Sequence, residues 1–321
     1  MKRWDVLGIG CAAVDDLLYV TSYPSADSKV RVESRERHCG GLTATALVAA
    51  ARQAAICGYA VALADDELSA FVLNAMGTEG IDISPVVTDG GASPIHSTII
   101  VDRATHTRTI FFKLPSIVGL IPSMPIEKYV LSTRVLLVDH FGGENTVRAQ
   151  RLALAAGVPV VADLERDDMP AFDDILLSTD HLIISHRFAS QLTEHNDPAQ
   201  AAAALFPAKS VVVVTCGRDG CWAITGGEAE PKHYPTFQVD VVDTTGCGDT
   251  FHGVYAAELA RGTGLAERIR RASVAAALKA TRPGAQSGIP SRQAVDQFLA
   301  AQNGTESRSR PAASLPGQPS T

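Results

Sequence analysis

The sequence predicts a three-layer α/β/α fold, built on a mostly parallel sheet that carries a small β-sheet lid. Short apolar runs of strand length alternate with amphipathic stretches of helical length, which is the pattern of β-α-β units. The runs are continuously apolar, as expected of parallel strands that helices cover on both faces. Six strands of this kind are predicted, at 6–10, 59–64, 135–138, 158–162, 181–185 and 211–215.

Helices are predicted at 43–56, 145–156, 250–261 and 265–281. Two segments break the alternation. Residues 16–37 are polar and β-branched around Pro24, and residues 95–113 indicate two strands around a polar turn. We expect segments at about 14–38 and 95–113 to form the lid, inserted in a single α/β domain of residues 1–302.

Residues 303–321 are rich in Ser, Pro, Gly and Arg. Such a segment buries too little apolar area to offset the entropy of ordering it. The sequence therefore predicts a disordered tail at 303–321.

Composition narrows the classes of function. The 321 residues are 46% hydrophobic and 20% charged, which is typical of a globular protein. Lys and Arg number 28 against 35 Asp and Glu, so the net charge of −7 disfavours nucleic acid as the main partner. No apolar run reaches the length of a membrane span and no signal peptide is recognisable, so we expect a cytoplasmic protein without membrane contact. The six cysteines lack the paired spacing of metal sites and are expected to be reduced thiols.

The first glycine cluster, Gly8-Ile9-Gly10-Cys11-Ala12-Ala13, fits a relaxed dinucleotide-binding fingerprint. That fingerprint needs a helix to begin there, whereas residues 14–20, followed by a Tyr-Pro pair, predict a strand and a turn. A dehydrogenase that binds NAD is thus a weak alternative. What remains is Asp15, a carboxylate at the end of a core strand, where open α/β sheets bind their ligands.

The most specific feature is the segment Asp243-Thr244-Thr245-Gly246-Cys247-Gly248-Asp249, directly followed by an amphipathic helix. Its two glycines allow a tight turn that exposes successive N–H groups, and the helix start adds unsatisfied donors and the positive end of its dipole. The arrangement is suited to a phosphate whose charge grows during transfer. Asp249 would lie close enough to accept a proton from an attacking hydroxyl. A simple helix cap is the alternative role for Asp249.

Residues 243–253, DTTGCGDTFHG, closely resemble the signature DTTGAGDxFxG of the PfkB, or ribokinase-like, carbohydrate kinases, and the likeness covers roughly residues 4–300. The resemblance implies a ribokinase-like fold and an ATP-dependent kinase. It also implies that Asp249 is the catalytic base and that Gly246, Cys247 and Gly248 form the anion hole. Cys247 stands where Ala is common. Small size is the simpler reason for it, and an activated thiol is the alternative.

Further matches fall in the order of the family. The segment 39–46, CGGLTATA, is similar to the family's GGxxxNxA region, which implies that Gly40 and Gly41 contact substrate, with Thr45 in place of the usual Asn. Asp15 falls where these kinases bind sugar hydroxyls. The nucleotide side is implied by matches to the TxGxxG loop and to the segment beside adenine; its residues are Ser185, Thr215, Gly217, Gly220 and Ser273.

One family motif is missing. Many members carry N-x-x-E after a strand to organise Mg²⁺ and phosphate, but Ser185 and Phe188 occupy those places here. The ketohexokinase-like and sulfofructose-kinase-like branches also lack this pair, and Asp27 and Arg108 fit the ketohexokinase pattern. Mg²⁺ must then arrive mostly with ATP. Asp163 or Glu165 could support its water shell, although a solvated acidic loop is the alternative explanation for these residues.

The segment 281–286, TRPGAQ, is similar to the TRKGAQ segment that holds a monovalent cation in ribokinases. The resemblance implies a K⁺ site formed by Asp243, Thr245, Arg282 and Gly284. A plain turn is the alternative.

Together these features predict an ATP-dependent carbohydrate kinase that phosphorylates a primary hydroxyl. A ketohexose is the favoured acceptor, and ribose or a nucleoside is the alternative. Arg108 could instead meet an anionic substituent. From another class, a non-catalytic sensor of sugar or nucleotide remains open. The expected partners are the sugar and ATP, and the exposed lid strands predict a homodimer.

Overall fold

The computed structural model describes residues 2–105 and 107–309, with side chains through residue 302. Its strands, in chain order, are β1 (Trp4–Ile9), β2 (Ala13–Val20), β3 (Ser34–Gly40), β4 (Cys57–Tyr59), β5 (Ala62–Leu63), β6 (Val87–Thr88), β7 (Ile95–Asp102), β8 (Thr107–Lys113), β9 (Thr133–Asp139), β10 (Val160–Asp163), β11 (His181–Ser185), β12 (Val211–Thr215), β13 (Cys221–Thr225) and β14 (Lys232–Tyr234). Its helices are α1 (Leu42–Arg52), α2 (Glu67–Thr78), α3 (Ile126–Leu131), α4 (Gly143–Ala155), α5 (Phe172–Leu177), α6 (His186–Thr193), α7 (Pro198–Leu205), α8 (Cys247–Ala260), α9 (Leu265–Ala280) and α10 (Arg292–Ser309).

The main sheet has the order β14-β13-β12-β11-β10-β9-β1-β4. In this sheet, neighbouring strands pair in parallel across β4, β1, β9, β10, β11 and β12. The strands β13 and β14 add an antiparallel edge. Parallel strands point their carboxyl ends at one edge of the sheet, where open α/β folds bind ligands. This edge is therefore where a site is expected.

Hydrophobic cores lie on both faces of the sheet, which makes the fold three-layered. In β12, Val211 and Val213 pack into the core under α1, α2, α8, α9 and α10, while Val212 and Val214 pack into the core under α3 to α7. A strand buried on both faces must be apolar at every position, which is why VVVV carries no alternation. The predicted strands at 181–185 and 211–215 are confirmed residue for residue.

The lid is a four-stranded sheet of order β3-β2-β7-β8. Only residues 10–12 separate its inner strand β2 from β1 of the main sheet, so the lid is joined directly to the core. β2 pairs with β7 in parallel over eight residues and with β3 in antiparallel fashion. The predicted fold class, a mostly parallel sheet with a smaller lid sheet, is confirmed.

The single strand predicted at 59–64 is wrong. β4 ends at Tyr59, and β5 leaves the main sheet to pair with β6 in a separate two-stranded sheet. All residues from 57 to 63 are buried, so hydrophobicity is continuous across the change of partner. A continuous apolar run records burial, and it does not record which strand provides the hydrogen bonds.

Two helices also end at positions that differ from the prediction. α1 ends at Arg52, because Ala54 takes a left-handed φ of 61° and redirects the chain toward β4. α10 runs to Ser309, so residues 303–309 have a helical backbone where a disordered tail is predicted. Residues 310–321 of that predicted tail lie outside the described residues. Within the described ranges, no helix is both long enough and apolar enough to cross a membrane.

Two helices that begin at the carboxyl edge, α1 and α8, pack against each other at Gly253. A Cβ atom added to Gly253 would overlap the carbonyl oxygen of Ala46 in α1 and would crowd the Ala49 side chain. Backbone therefore touches backbone at this crossing. The crossing fixes how the start of α8 lies relative to the start of α1.

We expect Gly253→Ala to lower the free energy of unfolding by about 1–3 kcal/mol, because the added methyl group must push the two helices apart. The matched control is Gly77→Ala in α2, where an added Cβ meets nothing within 4 Å. That control should stabilise the protein by up to about 1 kcal/mol, since Ala favours a helix over Gly. Thermal melting of both variants is the measurement. Equal effects in the two variants would contradict the close crossing.

Candidate active site

A cleft of ≈ 970 Å³ opens between the lid strands and two loops of the core, at 242–245 and 283–287. Asp15 and Arg108 lie on its lid side, and residues 243–245 and 283–285 lie on its core side. Further lining residues from the lid are Leu17, Tyr19, Glu36, His38, Ile99, Val101, Asp102, Arg103 and Thr107. The predicted substrate carboxylate and the loop before the anion hole thus face one cavity.

The predicted anion-hole loop caps the start of α8. Gly246 is the N-cap and has a φ of 78°, a left-handed conformation that favours glycine. A Cβ atom there would lie 2.6 Å from the carbonyl oxygen of Ala285, so the loop is also pressed against the turn after α9. Gly248 has open space around it, which leaves room for a ligand.

Cys247 departs in part from its predicted role. Its N–H donates to the carbonyl oxygen of Thr244 at 3.2 Å, so one of the three predicted anion-hole donors is engaged within the loop. Its thiol donates to the carbonyl oxygen of Ala276 at 3.5 Å, and burial raises the pKa of this thiol. A raised pKa disfavours the reactive thiolate, so the geometry supports small size over an activated nucleophile.

Asp249 lies in the first turn of α8, beside the carboxylates that end two neighbouring strands. Asp139 ends β9 and Asp163 ends β10, and the two are direct register partners. Burial, followed by the charges of Asp163 and Glu165, raises the pKa of Asp249 well above its usual range. Burial likewise raises the pKa of Asp163.

His252 places an imidazole in this carboxylate cluster. Its Nδ1 lies 2.8 Å from the carbonyl oxygen of Gly248 and its Nε2 lies 3.0 Å from that of Ile183. The Asp163 carboxylate lies 3.2 Å from Nδ1. The motif position after Phe251 therefore holds an imidazole whose two nitrogens lie close to oxygen atoms of Gly248, Ile183 and Asp163.

Asp139 was not predicted as a site residue, and it explains the first glycine cluster. Its fully buried carboxylate accepts from Cys11 N at 2.7 Å, from Thr43 Oγ1 at 2.8 Å and from Phe141 N at 2.9 Å. A Cβ atom on Gly10 would overlap this carboxylate. The glycine therefore makes room for Asp139, and β2 rather than a helix follows, so the dinucleotide alternative is excluded. A lone Asp that ends the apolar run VLLV was the available signal.

On the substrate side, Asp15 is half-buried, and burial raises the pKa of its carboxyl. Gly40 is required beside it, because an added Cβ would lie 2.7 Å from Asp15 Oδ2. Gly41 caps α1 with a φ of 93°. Thr45 is fully buried, and its hydroxyl accepts from Gln286 Nε2 at 3.2 Å. Thr45 therefore braces the turn after α9 and does not line the cleft.

Of the two residues that suggested the ketohexokinase pattern, one lines the cleft and the other does not. Arg108 lines the cleft, and its guanidinium donates to Thr245 Oγ1 at 2.6 Å, which joins the lid to the anion-hole loop. Asp27 is exposed in the loop between β2 and β3, with a φ of 58°. It is absent from the described residues that line the cleft. A short motif match could not show that the lid loop turns away from the cavity.

The predicted nucleotide residues gather at the ends of β11 and β12, with one exception. Ser185 and Thr215 are register partners there. Gly220 is required because an added Cβ would overlap the carbonyl oxygen of Tyr234, and Gly217 has a φ of 58°. Ser273 is instead buried in α9 and offers no exposed surface for a ligand to contact.

The absence of N-x-x-E has a structural counterpart. Ser185 Oγ accepts from Phe188 N at 3.3 Å and caps α6. Phe188 is buried, with its ring centroid 5.9 Å from that of Phe172. The position of the family's Glu therefore belongs to the hydrophobic core in this chain.

The four residues predicted for K⁺ do converge. Asp243 accepts from Thr245 N at 2.9 Å through one carboxylate oxygen and from Gly284 N at 2.8 Å through the other. The ammonium of Lys279, however, lies among these residues, and it donates to the carbonyl oxygens of Asp243 and Arg282. The sequence analysis missed Lys279, although a lone Lys in the alanine-rich end of α9 was a visible signal.

Glu165 follows β10 at the rim of the carboxylate cluster. The residue is exposed, and desolvation of its carboxyl by burial, followed by the charge of Asp163, raises the pKa of Glu165 to about 7. Among the side chains that the structure describes, at 2–105 and 107–302, no group of three or more His, Cys, Asp or Glu is arranged to hold a metal ion.

Residues 6–292 match the pfkB family of carbohydrate kinases. The chain belongs to this family. It is 27% identical over 301 residues to the ribokinase of Bacillus subtilis, with 91% of this chain and 98% of that protein covered. It is 23% identical over 322 residues to the 5-dehydro-2-deoxygluconokinase of Shouchella clausii, with 94% and 97% covered.

Among solved structures, Arabidopsis thaliana ribokinase in complex with ribose and ATP superposes with a TM-score of 0.84 at 22% identity, covering 92% of this chain and 99% of that one. The fold is therefore ribokinase-like. This pfkB-family protein is an ATP-dependent sugar kinase. Its carboxylate cluster consists of Asp139 and Asp163 at the ends of two core strands and Asp249 at the start of α8.

The raised pKa of Asp249 has a consequence for stability. The folded protein keeps this proton to a higher pH than the unfolded chain, whose Asp titrates near about 4. The stabilisation is therefore full below that pH and is lost as the pH rises through the folded-state pKa. Asp249→Asn cannot ionise, so the difference between its Tm and that of wild type should grow as the pH rises above about 4, by ~2–4 °C for each kcal/mol.

The matched control is Asp240→Asn, which removes one exposed negative charge from the segment before α8. Its Tm difference from wild type should change little with pH. A Tm difference for Asp249→Asn that stays constant or falls with pH would contradict the raised pKa.

Proposed function

We propose that Asp249 is the general base of this kinase and that the loop 246–248 holds the migrating phosphoryl group. The observation that carries the proposal is the position of Asp249, which directly follows the glycine loop and lies within the carboxylate cluster. The sugar hydroxyl oxygen bonds to the γ-phosphorus as the bond to the β-γ bridging oxygen breaks. Asp249 takes the hydroxyl proton, and ADP leaves.

The surroundings of Asp249 suit a group that accepts a proton. Burial and the charges of Asp163 and Glu165 raise the pKa of Asp249 well above its usual range, so it holds a transferred proton readily. The same effects mean that Asp249 must be deprotonated before the reaction can begin.

The carboxylates fit Mg²⁺ bound with ATP. Among the described residues none donates to Asp163 Oδ2, because the nearby Nδ1 of His252 is directed at the Gly248 carbonyl oxygen. Deprotonated carboxylate oxygens suit a hard cation. We propose that Glu165 and Asp163 support the water shell of Mg²⁺, which supplies positive charge next to the phosphates. We also propose that the enzyme works in the cytoplasm, where ATP is available.

We propose a ketohexose or a related keto sugar as the acceptor. Two features support it: Arg108 lines the cleft, and the N-x-x-E pair is replaced by Ser185 and the buried Phe188. Asp27, outside the cleft lining, adds no support. Asp15 would accept hydrogen bonds from two neighbouring sugar hydroxyls, and Arg108 would meet a carbonyl or an anionic group.

Ribose is the second candidate, supported by the 27% identity to Bacillus subtilis ribokinase across nearly the whole chain. The likeness to a 5-dehydro-2-deoxygluconokinase makes a keto sugar acid a further candidate acceptor, and the carboxylate of such an acid could pair with Arg108. ADP release should be measured over ketoses, ribose and other aldoses, 5-dehydro-2-deoxygluconate, sulfofructose, sugar phosphates and nucleosides. The highest kcat/KM for a keto sugar supports the proposal, whereas the highest value for ribose or a nucleoside overturns the acceptor choice.

With the best acceptor of that panel, Asp249→Asn should lower kcat by about 10²- to 10⁴-fold, because the variant keeps the size of the side chain but cannot take the proton. The KM for ATP should change little. Asp240→Asn is the control and should retain wild-type turnover. Near wild-type kcat in Asp249→Asn would show that another group accepts the proton.

We also propose a homodimer formed through the lid. β8 is an edge strand of the lid sheet, and Phe111 and Phe112 are each 55% exposed. A long apolar edge strand with free backbone groups favours pairing with another strand. A second copy of the chain would cover both the edge and the aromatic rings.

The double variant Phe111→Glu/Phe112→Glu should therefore sediment as a monomer, because charges on an edge strand oppose pairing. Leu177→Glu is the matched control, since Leu177 is exposed on α5, outside the lid. This control should sediment as the wild type does. A wild-type protein that sediments as a monomer would refute the lid dimer.

A further inference from the structure

Lys279 is a buried cation at the carboxyl end of α9, directly beneath the anion-hole loop. Its side chain is 0% exposed. Nζ donates to the carbonyl oxygen of Asp243 at 2.8 Å and to that of Arg282 at 3.3 Å, and it lies 4.0 Å from Asp243 Oδ2. The ammonium is therefore surrounded by oxygen atoms from the loop before α8 and from the turn after α9.

The carbonyl and carboxylate oxygens around Lys279 belong to the residues for which the sequence implied a K⁺ site. A K⁺ ion bound by the Asp243 and Arg282 carbonyls would compete with the ammonium for the same oxygens. It would also place a second positive charge within a few ångströms of Nζ, away from water, where like charges repel strongly. The residues present thus fit one cation, and the chain supplies that cation covalently.

We propose that Lys279 replaces a bound monovalent cation in this enzyme and makes its activity independent of K⁺. Lys279 acts as a positioning residue. Its ammonium joins Asp243 to Arg282, and the Asp243 carboxylate joins Thr245 to Gly284. These contacts hold the turn after α9 against Gly246, where an added Cβ would lie 2.6 Å from the Ala285 carbonyl oxygen.

The first test is independent of any sugar substrate. Thermal melting is compared in KCl and in choline chloride at equal ionic strength, for wild type and for three variants. Lys279→Ala opens a space lined by carbonyl oxygens, so K⁺ should bind there and raise the Tm of this variant relative to choline. Lys279→Met removes the charge but fills the space, so its Tm should not depend on K⁺. Wild type should not depend on K⁺ either.

The third variant, Lys209→Ala, is a matched control. Lys209 also donates to a helix-end carbonyl, that of Leu176 at 2.6 Å, but it lies far along the chain from the loop. It should show no response that is specific for K⁺. Because melting requires no catalysis, this test stands even if the proposed base or acceptor is wrong.

The second test rests on the proposed function and uses the best sugar acceptor. Wild-type kcat should be the same in KCl and choline chloride. In choline chloride, the kcat of Lys279→Ala should fall on the order of 10²-fold, because displacing the anion-hole loop by about 1 Å misplaces its N–H donors. Added KCl should restore part of that kcat, and it should restore none in Lys279→Met.

Several outcomes would overturn the proposal. Activation or stabilisation of wild type by KCl over choline chloride would show that a separate K⁺ site exists, and this result needs no variant to fold. If Lys279→Ala folds but responds to K⁺ in neither melting nor kcat, then Lys279 is only a packing anchor. Absence of sugar kinase activity in wild type, with the K⁺-specific melting response intact in Lys279→Ala, would contradict the proposed function and leave the cation replacement standing.

Discussion

The close approach of the start of α8 to the carboxyl edge of the sheet is the constraint on which the rest of the site depends. Gly253 lets α8 touch the backbone of α1, and Gly246 lets the loop touch the turn at Ala285. These two contacts between backbones help to place Asp249 beside Asp163, which ends a core strand. A side chain at either glycine would push α8 or its first loop away from these neighbours.

This proximity gathers negative charge in a place with little water. Burial and the neighbouring carboxylates raise the pKa values of Asp163, Glu165 and Asp249, which opposes folding at the pH where these three groups ionise. The Asp139 carboxylate beside them is stabilised by three hydrogen-bond donors. Stability at the site is thereby exchanged for a cluster of carboxyl groups with raised pKa values.

The anion-hole loop is held by cations on two sides. Arg108 contacts it from the lid through Thr245, and Lys279 contacts it from α9 through Asp243. The first contact lies at the open cleft, whereas the second is made by a fully buried side chain. The loop is therefore tied to the lid through Thr245 and to the core through Asp243.

The sequence by itself determined the parts that depend on local demands. Continuous apolar runs gave β11 and β12, because strands covered on both faces must be apolar throughout, and the glycine spacing in DTTGCGD predicted a loop that starts a helix. Only the tertiary structure decided which charges meet. Lys279 lies 36 residues from Asp243, Asp139 accepts from a residue 128 positions away, and Asp27 turns out of the cleft. Electrostatic interactions depend on distance in space, and that distance is set by how helices and strands pack, which no local pattern encodes.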